Sequence, residues 1–312
     1  MSMLSIVIAL VMDFVLGDPA WEWHPVRIFG RVIPRVEGYC RTFPVSKRTQ
    51  GVIFLAMNMS ICLVPILVLS FAASFMGPLR HVVWGAELYF ALGGTCLARE
   101  IEGLCAAMAR GGLSAGRQKL RLLVSRDVDG MDETAIVSSA IETLSENFSD
   151  SAVATLLYAA LGGPVLAWAH RASNTLDAMV GYKTEQYAEF GRASARLDDA
   201  FNFVPARVSA LLTACASGSV ARAEAVWNAS FRWGRALSSP NSGYPIAAFA
   251  GALGVTLCGP IRYFGVMSEK PYIGNGPRPT ILEMSGALSL YWNALALASA
   301  LSLALARLIH GL

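Results

Sequence analysis

The chain has 312 residues, of which 54% are hydrophobic and only 15% charged, with a formal net charge of +3. Soluble domains carry about 25% charged residues, so this balance, with a mean hydropathy of +0.48, excludes an ordinary water-soluble domain and predicts an all-α integral membrane protein. The basic residues are scattered over short loops, which gives no basis for a nucleic-acid partner. Cys40, Cys62, Cys96, Cys105, Cys215 and Cys258 form no CxxC pair, and they read as small buried hydrophobes.

The first apolar run, Leu4 to Leu16, is short and interrupted by Asp13. It lacks a basic leader and a small-residue cleavage site, so it is expected to persist as a membrane helix, and an acid at that depth marks function. In the following GDPAWEWHPVRIFG, the Asp18-Pro19 and His24-Pro25 pairs force extended or turn backbone. Trp21 and Trp23 suit an interfacial belt, and Arg27, Arg31, Arg35, Arg41, Lys47 and Arg48 place the loop to Gln50 in the cytoplasm.

Gly51 to Met76 is long enough to span. A weaker span from Val82 to Ala98 leads to a second basic loop, Arg99 to Val128. The apolar run Ser151 to Ala169 is broken by Gly162-Gly163-Pro164. If it crossed, acidic and basic segments that belong together would lie on opposite faces, so a re-entrant or broken helix is expected there. A short buried helix from Val208 to Val220, an apolar run from Ile246 to Pro260 and a span from Ser285 to Ile309 complete about four to six membrane helices in a single domain, 1–312.

Polar residues concentrate between 142 and 207. Glu142, Glu146 and Asp150 recur every four residues, which on a helix puts three carboxylates on one face. Such repulsion calls for a cation beside them. His170, Asn174 and Asp177 share a helical face, as do Asp198 and Asn202. Hard oxygen ligands of this kind suit Mg²⁺, which takes one or two carboxylates plus substrate phosphates. Lys183, Arg196 and Arg207 supply complementary charge, and Arg207, following Pro205, is expected in the first turn of a helix whose N-terminus favours anions. No GxxxxGK[ST] loop, GxSxG elbow or HExxH site occurs.

Five segments carry a resemblance: DFVLGDPAWEWHPVRIFG (13 to 30), ETLSENFSDS (142 to 151), NTLDAMVGYKTEQYAEFG (174 to 191), ARLDDAFNFVPAR (195 to 207) and SPNSGYPIAAFAGALGV (239 to 255). In that order they resemble the adenosylcobinamide-phosphate synthases of cobalamin biosynthesis, the CbiB/CobD family. The resemblance implies a multi-pass enzyme of the inner membrane, with its active site facing the cytoplasm. Such an enzyme joins adenosylcobyric acid to 1-amino-2-propanol or its O-phosphate with ATP consumed. Phe148-Ser149, Ala154-Thr155 and Phe203 depart from the family pattern but leave the polar set intact.

On that basis the site is expected mainly in 142–207, with 13–30 and 238–245. Glu142, Glu146, Asp150, Asp198 and Asp199 are assigned to Mg²⁺. Lys183, Arg196, Arg207, Asn147, Asn174, Asn202, Ser239 and Asn241 are assigned to phosphates and substrate orientation, and Asp18, His24 and Asp177 to catalysis. The partners are the corrinoid, the aminoalcohol phosphate and the bilayer; a second copy of the chain or later-step corrinoid enzymes complete the set to be tested. Two other readings compete. A prenyl or lipid-diphosphate transferase also needs paired carboxylates at a membrane face, and a transporter would use ionisable residues at a broken helix.

Overall fold

The apolar runs fold as helices: α1 Met3–Leu16, α2 Pro25–Cys40, α3 Lys47–Ser74, α4 Arg80–Ala91, α5 Cys96–Leu120, α6 Glu133–Asn147, α7 Ala154–Val180, α8 Arg192–Ala216, α9 Val220–Trp233, α10 Gly243–Leu253 and α11 Ile281–His310. The computed structural model describes residues 2–19, 21–263 and 265–311, so that only Ala20 of the 13–30 motif lies outside. With 73% of residues helical, this is an all-α membrane protein.

Among the described residues, three helical stretches are long and apolar enough to cross a bilayer, Lys47–Ser74, Glu133–Val180 and Ile281–His310, and Met3–Leu16 and Gly243–Leu253 are shorter apolar helices. The proposed span from Val82 to Ala98 does not form. Its helix, α4, has 12 residues and stops at Leu92, whose backbone is extended (ψ 143°). Twelve residues cover about 18 Å, short of the roughly 30 Å hydrocarbon core.

The chain divides into two compact units. The first comprises Met1–Gly93, Ala154–Asn202 and Ser299–Leu312. Within it α1 packs on α4, and both α3 and α4 pack on α7. Gly51 of α3 is needed for close approach, because a Cβ there would lie 1.9 Å from the Phe190 carbonyl oxygen.

Helix α7 breaks where the Gly-Gly-Pro signal places it: Gly163 has φ 68° and ψ −158°, a conformation outside the helical range. The chain reverses there. Tyr158 and His170 would be about 18 Å apart along a straight helix, yet their rings stack with centroids 5.5 Å apart. Pro164 has no N–H to give the Ala160 carbonyl, and His310 Nε2 lies 3.0 Å from that oxygen instead.

Helix α8 joins what the sequence suggested were separate pieces. The run from Val208 is its C-terminal part, and Arg207 stands in its interior, so the expected helix N-terminus at Arg207 is absent. Pro205 is tolerated for the same reason as Pro164. The carbonyl it leaves unpaired, on Phe201, accepts from the Tyr158 hydroxyl at 2.5 Å.

The second unit comprises Gly94–Val153 and Phe203–Ala298. Helix α5 reverses at Gly112 (φ 63°, ψ −156°). Glu100 and Lys119 would be about 28 Å apart on an unbroken helix, but they form an ion pair at 2.6 Å. After α6, residues Phe148–Val153 are π-helical. The regular four-residue face expected for Glu142, Glu146 and Asp150 therefore ends before Asp150. Two short antiparallel ladders follow α10: Leu257–Cys258 pairs with Tyr272–Ile273, and Ile261–Tyr263 with Val266–Ser268.

Candidate active site

In the first unit, His24 caps α2 by accepting the Val26 N–H on Nδ1 at 3.3 Å. Its other nitrogen therefore carries the proton, and Nε2 lies 3.1 Å from Asp18 Oδ1. Burial pushes the Asp18 carboxyl up, but the His24 hydrogen bond and the charges of Arg171 and Arg27 outweigh it and hold it below the ordinary range.

A second polar chain crosses from α7 to α8. His170 Nε2 and Asn202 Oδ1 are 2.9 Å apart, and Asn202 Nδ2 donates to Asp198 Oδ2 at 3.0 Å. Asn202 thus pins one oxygen of Asp198. The other, Oδ1, is buried without a hydrogen-bond partner among the described residues. Burial and the Asp177 charge push Asp198 up to about 7, against the opposing Asn202 hydrogen bond and the nearby Asn174 amide. Burial also raises Asp199, with Lys183 opposing. Gly181 makes room here: a Cβ would lie 1.9 Å from Asp177 Oδ1.

The first unit therefore gathers Asp177, Asp198, Asp199, Asn174, Asn202 and Lys183 from distant parts of the sequence. Arg196 of the same helix is exposed. Among the described residues no group of three or more His, Cys, Asp or Glu is arranged as a ready metal cage. What the site offers a divalent ion such as Mg²⁺, which takes one or two carboxylates from protein, is the orphaned Asp198 oxygen, with Asp177 and Asp199 close enough for their charges to act on it.

Glu142, Glu146 and Asp150 lie in the second unit, where Arg126 and Lys270 are the cations that act on Glu146 and Arg126 pairs with Glu142. Arg126 Nη1 pairs with Glu142 Oε2 at 2.8 Å, both side chains being buried. Glu142 Oε1 accepts from Ser138 Oγ at 2.8 Å and from the Cys258 N–H at 3.1 Å. Both oxygens of Glu142 are engaged. Burial lowers the Arg126 pKa, but the Glu142 charge raises it further, and Lys270 is near enough to Glu146 for the two charges to interact.

Cys258 adopts φ 60°, a left-handed conformation uncommon for a side-chain-bearing residue. Glu142 holds its N–H, and Arg278 Nη1 donates to its carbonyl at 2.6 Å. Arg207 donates to Asn241 Oδ1 at 3.1 Å and stacks over Phe203 and Tyr244. Ser239 Oγ accepts from the Asn241 N–H at 3.2 Å. Asn147 bonds locally, donating to the Thr143 carbonyl and accepting from Ser151.

Arg126, Lys270 and Arg278 are not marked by the sequence as site candidates, because Arg126 lies within a basic loop and 261–280 lies between apolar runs. The Pro- and Gly-rich NGPRP around Arg278 was the available signal.

A family model described as CobD/Cbib protein matches residues 6–291. The chain belongs to the CobD/Cbib family. A cobalamin biosynthesis protein CobD of Geobacter metallireducens is 41% identical over 88% of this chain and 87% of its own length. Those of Chromobacterium violaceum and Pelobacter propionicus are 38% and 36% identical, over 99% and 98% of this chain and 98% and 96% of theirs. No solved structure matches. The family match covers the Asp18–His24 pair, the Asp198 cluster and the Arg126–Glu142 pair alike.

Proposed function

We propose that the chain is an adenosylcobinamide-phosphate synthase. It would join the carboxylate of adenosylcobyric acid to the amine of 1-amino-2-propanol O-phosphate, or of the free aminoalcohol or its ethanolamine analogue, as an amide with ATP consumed. Membership of a family whose named members are cobalamin biosynthesis proteins supports the pathway. The observation that carries the chemistry is Asp198, whose Oδ2 is fixed by Asn202 while Oδ1 is left open beside Asp177 and Asp199.

A carboxylate is a poor acyl donor until it is phosphorylated; the amine then displaces phosphate. Asp198, Asp177 and Asp199 would hold Mg²⁺, which when bound offsets charge on the transferring phosphoryl group. Asn202 and His170 keep Asp198 in place, and Lys183 meets phosphate oxygens. Asp18, kept ionised by its neighbours, accepts an N–H from the incoming amine, and His24 orients it.

The test is purified protein with adenosylcobyric acid, aminopropanol phosphate, Mg²⁺ and ATP. Amide product should form in step with nucleotide loss, and Asp198→Asn should raise the Mg²⁺ requirement or abolish turnover. Product without nucleotide loss, or none with any of the aminoalcohols, overturns the reading.

A further inference from the structure

The second unit holds a cavity of about 290 Å³ beside the Cys258 turn. That is at the small end of ligand pockets, which run from about 300 to 1,000 Å³, and too small for a corrin ring. Its charged wall residues are Asp127, Asp129, Glu142, Arg262 and Arg278.

The acids on this wall are already engaged. Glu142 pairs with Arg126, Asp129 pairs with Arg121 at 2.5 Å, and Asp127 Oδ2 accepts the Gly265 N–H at 2.7 Å. The basic groups are not. Arg278 uses only Nη1, on the Thr256 and Cys258 carbonyls at 3.3 and 2.6 Å, which leaves Nε and Nη2 without a hydrogen-bond partner among the described residues. The Arg262 side chain makes no hydrogen bond or ion pair among the described residues. Ser139, also on the wall, accepts from Arg126 at 3.0 Å, and its own O–H has no acceptor among the described residues. Once Glu142 and Asp129 are set against their partners, two guanidinium groups face one carboxylate. An arginine whose one edge is fixed by backbone carbonyls presents the other as a preorganised fork for a tetrahedral oxyanion.

We propose that this cavity binds a small phosphate or phosphate monoester, gripped by Arg278, Arg262 and the Ser139 hydroxyl. The proposal goes beyond the ligase reading and stands without it, since anion binding is measured with neither nucleotide nor corrinoid present.

The test is titration of detergent-purified protein with inorganic phosphate, followed by calorimetry and ³¹P line broadening. Binding should saturate. Arg278→Met should weaken it by roughly tenfold, the scale of one lost charge-assisted hydrogen bond, whereas Arg222→Met on α9 should leave it unchanged.

Because Arg278 also holds two backbone carbonyls, Arg262→Met provides a variant that removes no hydrogen bond among the described residues and Ser139→Ala one that removes only the bond accepted from Arg126, and each should weaken binding several-fold. Non-saturable binding by the parent protein, or binding that both of these variants leave unchanged, overturns the proposal. Repeating the titration in phosphatidylcholine discs with and without phosphatidic acid separates sources. Competition by phosphatidic acid assigns the phosphate to a lipid headgroup, and its absence assigns it to a soluble ester; either supports the anion site.

Discussion

A carboxylate pushed up to about 7 from 3.8, as Asp198 is, keeps its proton in the folded protein at pH values where the unfolded chain has released it. Its contribution to stability is therefore fully present below 3.8 and lost as pH rises through about 7. Asp198→Asn removes that loss. Without divalent cation the variant should melt above the parent at about pH 8, with the gap closing toward pH 4, and Mg²⁺ should narrow the gap at the higher pH. A gap that is the same at both ends would show that Asp198 does not titrate in this range. Glu142 and Arg126 form the opposite case, a buried pair in which each charge needs the other. Glu142→Gln should cost about 3 to 5 kcal/mol by leaving a buried guanidinium unpaired, and adding Arg126→Met should recover part of that. Thermal unfolding of the single and double variants in detergent gives the coupling. Additive losses would mean that the two side chains stabilise the fold separately.

The reversals in α5 and α7 rest on one backbone geometry, with φ 63° at Gly112 and 68° at Gly163, and ψ near −157° in both. Only glycine occupies that region readily. Gly163→Ala should cost of order 1 to 3 kcal/mol and lower the melting temperature. An unchanged melting temperature would show that the turn relaxes without loss. The α7 turn was legible because Pro164 follows two glycines inside an apolar run. The equivalent pair Gly111-Gly112 was not, since Leu113 follows it and its surroundings are polar, so nothing marks an end to the helix. The same contrast governs the site. Asp198 and Asn202 were readable as neighbours because they are one turn apart on α8, whereas Arg126 reaches Glu142 across a loop that no periodicity describes. Pro205 misled for a physical reason: it reads as a helix start, but Tyr158, far upstream, supplies the hydrogen bond that lets the helix continue through it.

Burial separates the long apolar stretches by role. The most apolar 18-residue window of α3 is 17% buried and that of α11 28% buried, whereas the window within Glu133–Val180 is 67% buried. Helix α3 thus offers Val64, Leu67, Val68 and Phe71 to its surroundings, as a lipid-facing span must, and the α7 hairpin is shielded by its neighbours. Broken helices are tolerated at membrane depth only with such shielding. The orientation of α3 then fixes the sidedness of the first unit's site. Gly51, in its first turns, touches Phe190, which belongs to the 181–191 segment that carries Lys183. Arg41, just ahead of α3, points Nη2 toward the Gln186 carbonyl of the same segment, at 3.5 Å. The Lys183 segment therefore lies at the basic end of α3, the end for which charge bias predicts a cytoplasmic location. With the exposed Cys215 replaced by serine, Ser46→Cys should resist a membrane-impermeant maleimide in intact cells and react after permeabilisation. Met76→Cys, at the other end of the span, should react in both. Labelling of Ser46→Cys from outside would invert the span and put Lys183 on the face away from the cell's nucleotide pool, which an ATP-dependent ligase could not tolerate.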